Sequence, residues 1–186
     1  MNTKNIFFVL VSFMFFCSIS YSQNSGDRIF INEWFKAGSK PDLYEIGKDE
    51  SVKYNEVPSY YLKSIAEVKE GFGTIMKYIE PGEYIGKRAK LTGIIKSENI
   101  NNRAGMWMRV DGPDPDKSLQ FDNMGDRPIK GTNDWTKYEI VLDVPENSAG
   151  IAYGVLISGD GQVWLGNLSF EVVGNDVPST NMIKEE

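Results

Sequence analysis

The sequence predicts an all-β fold, two antiparallel sheets packed face to face, and three observations carry the prediction. From Ser59 onward, short runs rich in Val, Ile, Tyr, Phe and Thr recur with Gly, Pro, Asn and Asp between them. No long stretch repeats its apolar residues with the 3.6-residue period of a helix. The runs alternate apolar and polar residues, and half-buried strands of that kind cover their apolar faces by stacking one sheet on another. With 186 residues, 41% of them apolar and 25% charged, the chain suits one domain and is too apolar to be disordered.

The first element is an export segment. Lys4 precedes an apolar run of 11 residues, 6–16, and the polar stretch after it carries small residues at Ser20 and Ser22. A positive start, a short apolar centre and small residues at the −3 and −1 positions are the parts of a signal peptide, with cleavage after Ser22. A membrane-spanning helix needs about 20 apolar residues, so no membrane span is expected once residues 1–22 are removed. Cys17 admits a lipid anchor instead, but bulky Phe15 and Phe16 stand where such signals carry small residues. A buried core helix is the third alternative, and polar Asn2, Thr3 and Lys4 count against it. The mature protein is therefore expected in the periplasm or outside the cell. Its 164 residues hold 19 basic and 26 acidic side chains, a net charge of −7, and no cysteine. A domain of this size buries about 68–70% of its unfolded surface, enough to stand without disulfides. Absence of cysteine suits a bacterial exported domain better than a disulfide-stapled module.

Strands are predicted at 29–35, 60–65, 72–79, 90–97, 105–111, 118–122, 138–144, 150–158 and 162–173. Glu80-Pro81-Gly82 closes the third, and residues 98–102, Glu-Asn-Ile-Asn-Asn, break the chain after the fourth. Gly112-Pro113-Asp114-Pro115-Asp116 turns 105–111 back on 118–122 as a hairpin with a long tip. Gly159-Asp160-Gly161 reads as a tight hairpin turn joining the last two. Short helical turns are predicted at 65–71 and 83–87. The folded domain is expected over 23–175, with the polar, acidic stretch 176–186 as a disordered tail.

Alternation assigns faces. Tyr138, Ile140, Leu142 and Val144 point away from Glu139 and Asp143, so that strand has one wet side. Ile151, Tyr153, Val155 and Ile157 oppose Ala152, Gly154, Leu156 and Ser158, whose small members leave room for a neighbouring bulky group or an approaching ligand. In 105–111, apolar Met106, Met108 and Val110 make a core face, and Trp107, Arg109 and Asp111 line the other. An aromatic plate, a forked cation and a carboxylate in one row suit a sugar or other small polar ring, whose C–H face lies on indole while its hydroxyls meet charged groups. The alternative is structural: Trp107 packs, and Arg109 pairs with Asp111 or Asp122. Asp122, Asn123 and Arg127 are placed at the rim of the same face, although Asp122 and Asn123 also suit caps of loop N–H groups. Asp134 reads as a turn residue, Trp135 as a core or rim aromatic, and Trp164 as core.

Residues 34–173 resemble the galactose-binding-like, carbohydrate-binding-module-like jelly rolls that occur in bacteria alone or beside regulators of the AraC type. The resemblance is carried by Ala-Gly-Ser-Lys-Pro-Asp-Leu-Tyr-Glu-Ile-Gly at 37–47, Glu-Gly-Phe-Gly-Thr at 70–74 and Ala-Gly-Met-Trp-Met-Arg-Val-Asp-Gly at 104–112. It continues through Phe-Asp-Asn-Met at 121–124, Asp-Arg-Pro-Ile-Lys-Gly-Thr at 126–132 and Gly-Gln-Val-Trp at 161–164. It implies a two-sheet antiparallel jelly-roll sandwich, here without a DNA-binding segment. Related modules often hold a structural Ca²⁺ beside paired Asp residues. Here the matching stretch, Leu165-Gly166-Asn167-Leu168, lacks a carboxylate, and Ca²⁺ favours carboxylate oxygens. No metal and no cofactor is assigned, although Asp111, Asp114 and Asp116 could hold an adventitious ion.

Function is narrowed by what the chain lacks. It has no His, which removes imidazole bases and His-ligated metals. Its acidic balance without a basic cluster argues against nucleic acid. No Gly-x-Ser-x-Gly elbow is present. The nearest stretch to a Ser-x-x-Lys motif, Ser148-Ala149-Gly150-Ile151, lacks the lysine, and no catalytic residue is assigned. The leading expectation is a non-catalytic module for a glycan or small polar ligand, with Trp107 exposed beside Arg109 in a concave face. A protein-docking or scaffold module of the envelope would show a bare edge or an apolar patch instead. A carboxylate-dependent glycosidase would need two carboxyls roughly 5–9 Å apart across a cleft.

Overall fold

The structure, a computed structural model, describes residues 30, 31 and 33–183. The export segment 1–22 with Cys17 and residues 184–186 lie outside the described residues. Among the described residues, ten strands are hydrogen-bonded in antiparallel pairs: β1 (Phe30–Ile31), β2 (Trp34–Gly38), β3 (Tyr44–Tyr54), β4 (Val57–Ser64), β5 (Gly73–Ile79), β6 (Lys87–Asp111), β7 (Ser118–Asp122), β8 (Ile129–Val144), β9 (Gly150–Ser158) and β10 (Gln162–Val173).

The 25-residue strand β6 organises the fold. At about 3.3 Å per residue it would run some 80 Å if straight, so it bends, and its halves serve different leaves. Residues 88–98 pair with β10, and 103–111 pair with β9. One leaf thus runs β1-β2-β5-β9-β6-β7, and the other runs β3-β4-β10-β6-β8. The expected break at 98–102 is this corner. Three register shifts against β8 fall between Ile95 and Ala104, and Asn99 takes a positive φ of 54°. Irregularities of this kind let one strand change sheets. The polar Asn run thus marks a bend within a strand and not a loop. By the same geometry β8 begins at Ile129, ahead of the expected 138.

The leaves bury one core between them. Met106, Met108 and Val110 of one leaf and Leu91, Ile140, Leu142 and Val163 of the other are fully buried in a single cluster, in which Met106, Met108, Val110, Ile140 and Leu142 share the faces their alternation predicted. Tyr44 ends in that core with its hydroxyl on the Gly159 carbonyl at 2.9 Å, and burial pushes its phenol up to about 12.

Four expectations are revised. β3 was not anticipated, because its 11 residues carry Glu45, Lys48, Asp49, Glu50 and Lys53 along an outer edge. It reaches β4 through Asn55 and Glu56, both at positive φ, the conformation of a two-residue hairpin turn. Between Asp49 and Lys53 the strand bulges. The Asp49 carboxylate accepts from the Ser51 hydroxyl and from the Ser51 and Val52 N–H groups, and it also takes the Trp164 indole N–H. Those bonds, the Ser51 hydroxyl foremost, hold it down at about 2. Trp164 is buried as expected, but on the outer side of its leaf beside Asp49. Second, Gly159-Asp160-Gly161 carries the chain from one leaf to the other, since β9 and β10 do not pair. Third, residues 65–71 form no helix, whereas a single 3-10 turn occupies Gly82–Tyr84. Fourth, within the stretch 176–186 expected to be a tail, Thr180 exchanges hydrogen bonds with Val141 of β8. Met182 donates its N–H to the Phe121 carbonyl of β7. These residues strap the edges of the two leaves together.

Candidate functional site

The outward face of the β2-β5-β9-β6-β7 leaf is built by period-two alternation in register. Phe35 of β2 stands opposite Met76 of β5, Met76 opposite Gly154 of β9, and Gly154 opposite Trp107 of β6. One step along, Ala152 lies between Tyr78 and Arg109, and Arg109 faces Phe121 of β7. The small residues of β9 make the hollow. The Trp107 indole passes over Gly154 to reach β5, where its N–H donates to the Thr74 hydroxyl at 2.8 Å. That hydroxyl in turn donates to the Val155 carbonyl at 2.8 Å. Trp107 packs on Ala152, whereas a Cβ at Gly154 would strike the β5 backbone at the Ile75 carbonyl, so the glycine serves a close strand approach.

The result is a groove of about 560 Å³ running along β5 from Phe72 past Thr74 and Met76 to Tyr78, with Trp107 and Arg109 on its far side. Phe72 and Tyr78 are 37% and 50% exposed and stand at its two ends. Trp107, expected to be exposed, is only 7% exposed. It forms the floor among Met76, Ala152, Leu156 and Phe121, and its N–H is already committed. Its available chemistry is a flat apolar surface.

Arg109 carries the polar end. Its Nε and Nη2 donate to the two Asp111 carboxylate oxygens at 2.7 and 3.0 Å. This is the structural ion pair anticipated as an alternative, but neither partner is internal: the side chains are 42% and 19% exposed. A guanidinium has five N–H donors. The bond to Asp111 uses two and fixes the plane, leaving three for a ligand hydroxyl or carbonyl.

The other expected rim residues divide. The backbone carbonyl of Asn123 closes over Gly105, 2.9 Å from where a Cβ would stand, so this residue does border the β6 row. Asp122 does not. It stands opposite core-facing Met108, fully buried, and so lies beneath the leaf and not on its outer face. Its carboxylate accepts two N–H groups of Arg127, one at 3.2 Å, and the Met124 N–H at 2.8 Å. Arg127 also donates to the Glu139 carbonyl of β8 at 3.2 Å. This pair ties β7 to β8, and the competing assignment of Asp122 as a loop cap is the one its contacts match. Phe35, Phe72, Thr74, Met76 and Tyr78 were not singled out from the sequence. Alternation in 72–79 would have grouped four of them, but it does not say which of two faces is the outer one.

Among the described residues, no three His, Cys, Asp or Glu side chains are grouped to hold a metal ion, and no helix is long and apolar enough to cross a membrane.

No protein-family model matches the chain. Its sequence is 46% identical over 151 residues to the uncharacterized HTH-type transcriptional regulator YbfP of Bacillus subtilis (strain 168), covering 80% of this chain and 50% of the regulator. The chain thus spans about half the length of that curated relative. Among solved structures it is similar to the enzymatically active domain of bacteriophage CBA120 tailspike protein 4, with a TM-score of 0.60 and 16% identity over 76% of this chain and 20% of that one. It is also similar to the CBM22-1 xylan-binding domain of Paenibacillus barcinonensis Xyn10C, at a TM-score of 0.54 and 14% identity over 75% of this chain and 85% of that one. The C-terminal family 22 carbohydrate-binding module of Clostridium thermocellum Xyn10B gives 0.54 and 10% over 78% and 88%. The architecture of this chain is the β-sandwich of the carbohydrate-binding modules.

Proposed function

We propose that the protein is an exported, non-catalytic glycan-binding module and that the groove on the outer face of the β2-β5-β9-β6-β7 leaf is its binding site. One observation carries this: an indole forms the floor of a hollow whose rim bears exposed aromatic rings and a guanidinium held in plane with N–H groups to spare. Sugar rings offer an apolar face and outward hydroxyls, and this arrangement meets both at once. The xylan-binding modules of the same fold favour the reading. Among the described residues the groove lining holds no carboxylate, and the nearest one tied to it, Asp111 on Arg109, is single where hydrolysis would need a pair.

Arg109→Ala and Tyr78→Ala are expected to weaken binding to the best oligosaccharide on a glycan array, xylo-oligosaccharides included, about 10–100-fold each. For Arg109 that is the worth of one charge-assisted hydrogen bond, and for Tyr78 of a neutral hydrogen bond together with a ring contact. Both side chains are half exposed, so the melting temperature should hardly move. Equal binding by wild type and both variants would rule the groove out. Export is checked by N-terminal sequencing of the mature protein, expected to begin at Gln23; an intact Met1 start would contradict it.

A further inference from the structure

A second hollow lies between the leaves, at the end where β2 and β4 begin, and is separate from the groove. It measures about 230 Å³. Trp34, Tyr60 and Tyr153 wall it, with ring centroids of Tyr60 and Tyr153 at 6.0 and 5.9 Å from Trp34, and Leu165 and Leu168 supply apolar floor. A cavity of about 150 Å³ lined by apolar groups takes up benzene, so this one accommodates a substituted six-membered ring.

Its unusual member is Lys77. In β5 the residues on either side of it in the pleat, Ile75 and Ile79, pack on the core, so Lys77 shares their inward face and stands opposite Tyr153. Its side chain is 21% exposed, and its ammonium sits 5.0 Å from the centre of the Trp34 ring. The carboxylate that pairs with it, Glu33 at 3.2 Å, is 86% exposed. An exposed pair of this kind is weak and gives way easily. A carboxylate held within the slot would meet the same ammonium at lower local dielectric, where the attraction is stronger. Two further polar groups, the Tyr153 hydroxyl and the Asn167 amide, belong to residues that line the slot.

The geometry points to a binding site for a small aromatic carboxylate, its ring seated in the hollow against Trp34, Tyr60 and Tyr153 and its carboxylate on Lys77 in place of Glu33. The site does not depend on the glycan groove. Titration of the full protein with benzoate, and with benzamide as its uncharged equal in size, tests it by tryptophan fluorescence. Benzoate is expected to bind saturably and at least 10-fold more tightly than benzamide. Lys77→Met should remove that advantage, and Glu33→Gln, which takes away the competing carboxylate at an exposed position, should tighten benzoate several-fold. Arg109→Ala should leave benzoate binding unchanged, which separates this site from the groove. No saturable benzoate binding to the wild type, equal affinity for the two probes, or indifference to both Lys77→Met and Glu33→Gln would overturn the assignment.

Discussion

Arg127→Ala is expected to lower the stability of the protein by about 3–5 kcal/mol, because it leaves the fully buried Asp122 carboxylate without its cation. Two donors to Asp122 disappear together with the donor to the Glu139 carbonyl, so β7 and β8 lose their side-chain tie. Urea unfolding measures the loss. Arg127→Ala with Asp122→Ala should recover part of it, since the cost lies in a stranded charge and not in the missing pair itself. A loss below about 1 kcal/mol in the single variant would mean that water solvates Asp122 as well as Arg127 does.

Trp107→Ala is expected to cost about 3–5 kcal/mol as well, and to abolish glycan binding. The indole is nearly buried between Met76, Leu156 and Phe121, and its removal also strips the Thr74 hydroxyl of a donor. Trp107→Phe eases the separation of the two effects: it keeps a flat, smaller apolar ring in the hollow and gives up the N–H. It should retain most of the stability and measurable binding. If Trp107→Ala were as stable as the wild type, the indole would not be the packed floor that its contacts describe.

The sandwich and the residues facing its core were legible in the sequence because alternation is a local property. Met106, Met108 and Val110 could be assigned against Trp107, Arg109 and Asp111 from seven residues alone. Features that depend on distant pairing were not legible. The Asn-rich 98–102 has the composition of a loop, and only the simultaneous pairing of β6 with strands of both leaves turns it into a corner. The edge strand β3 carries charge on much of its length, so no apolar period announces it. Asp122 and Arg127 look like rim residues because both are polar, yet a bidentate partner five positions away allows the carboxylate to be buried. For the groove, the β6 row was visible, but its β5 wall was not: 72–79 alternates well, and nothing local says which of its faces the core will take. The docking of Thr180 and Met182 uses largely backbone groups, which leave no trace in composition.

The claim on which the function rests is that carbohydrate seats on the outer face of the β2-β5-β9-β6-β7 leaf, over Trp107. Titrating isotope-labelled protein with the best-binding oligosaccharide and following its NMR shifts tests this most directly. The largest changes are expected at the Trp107 indole N–H, the Arg109 Nε–H and the backbone amides of Thr74, Met76 and Tyr78, with the β3-β4-β10 face unmoved. Shifts confined to that opposite face, or none with any oligosaccharide, would contradict the account.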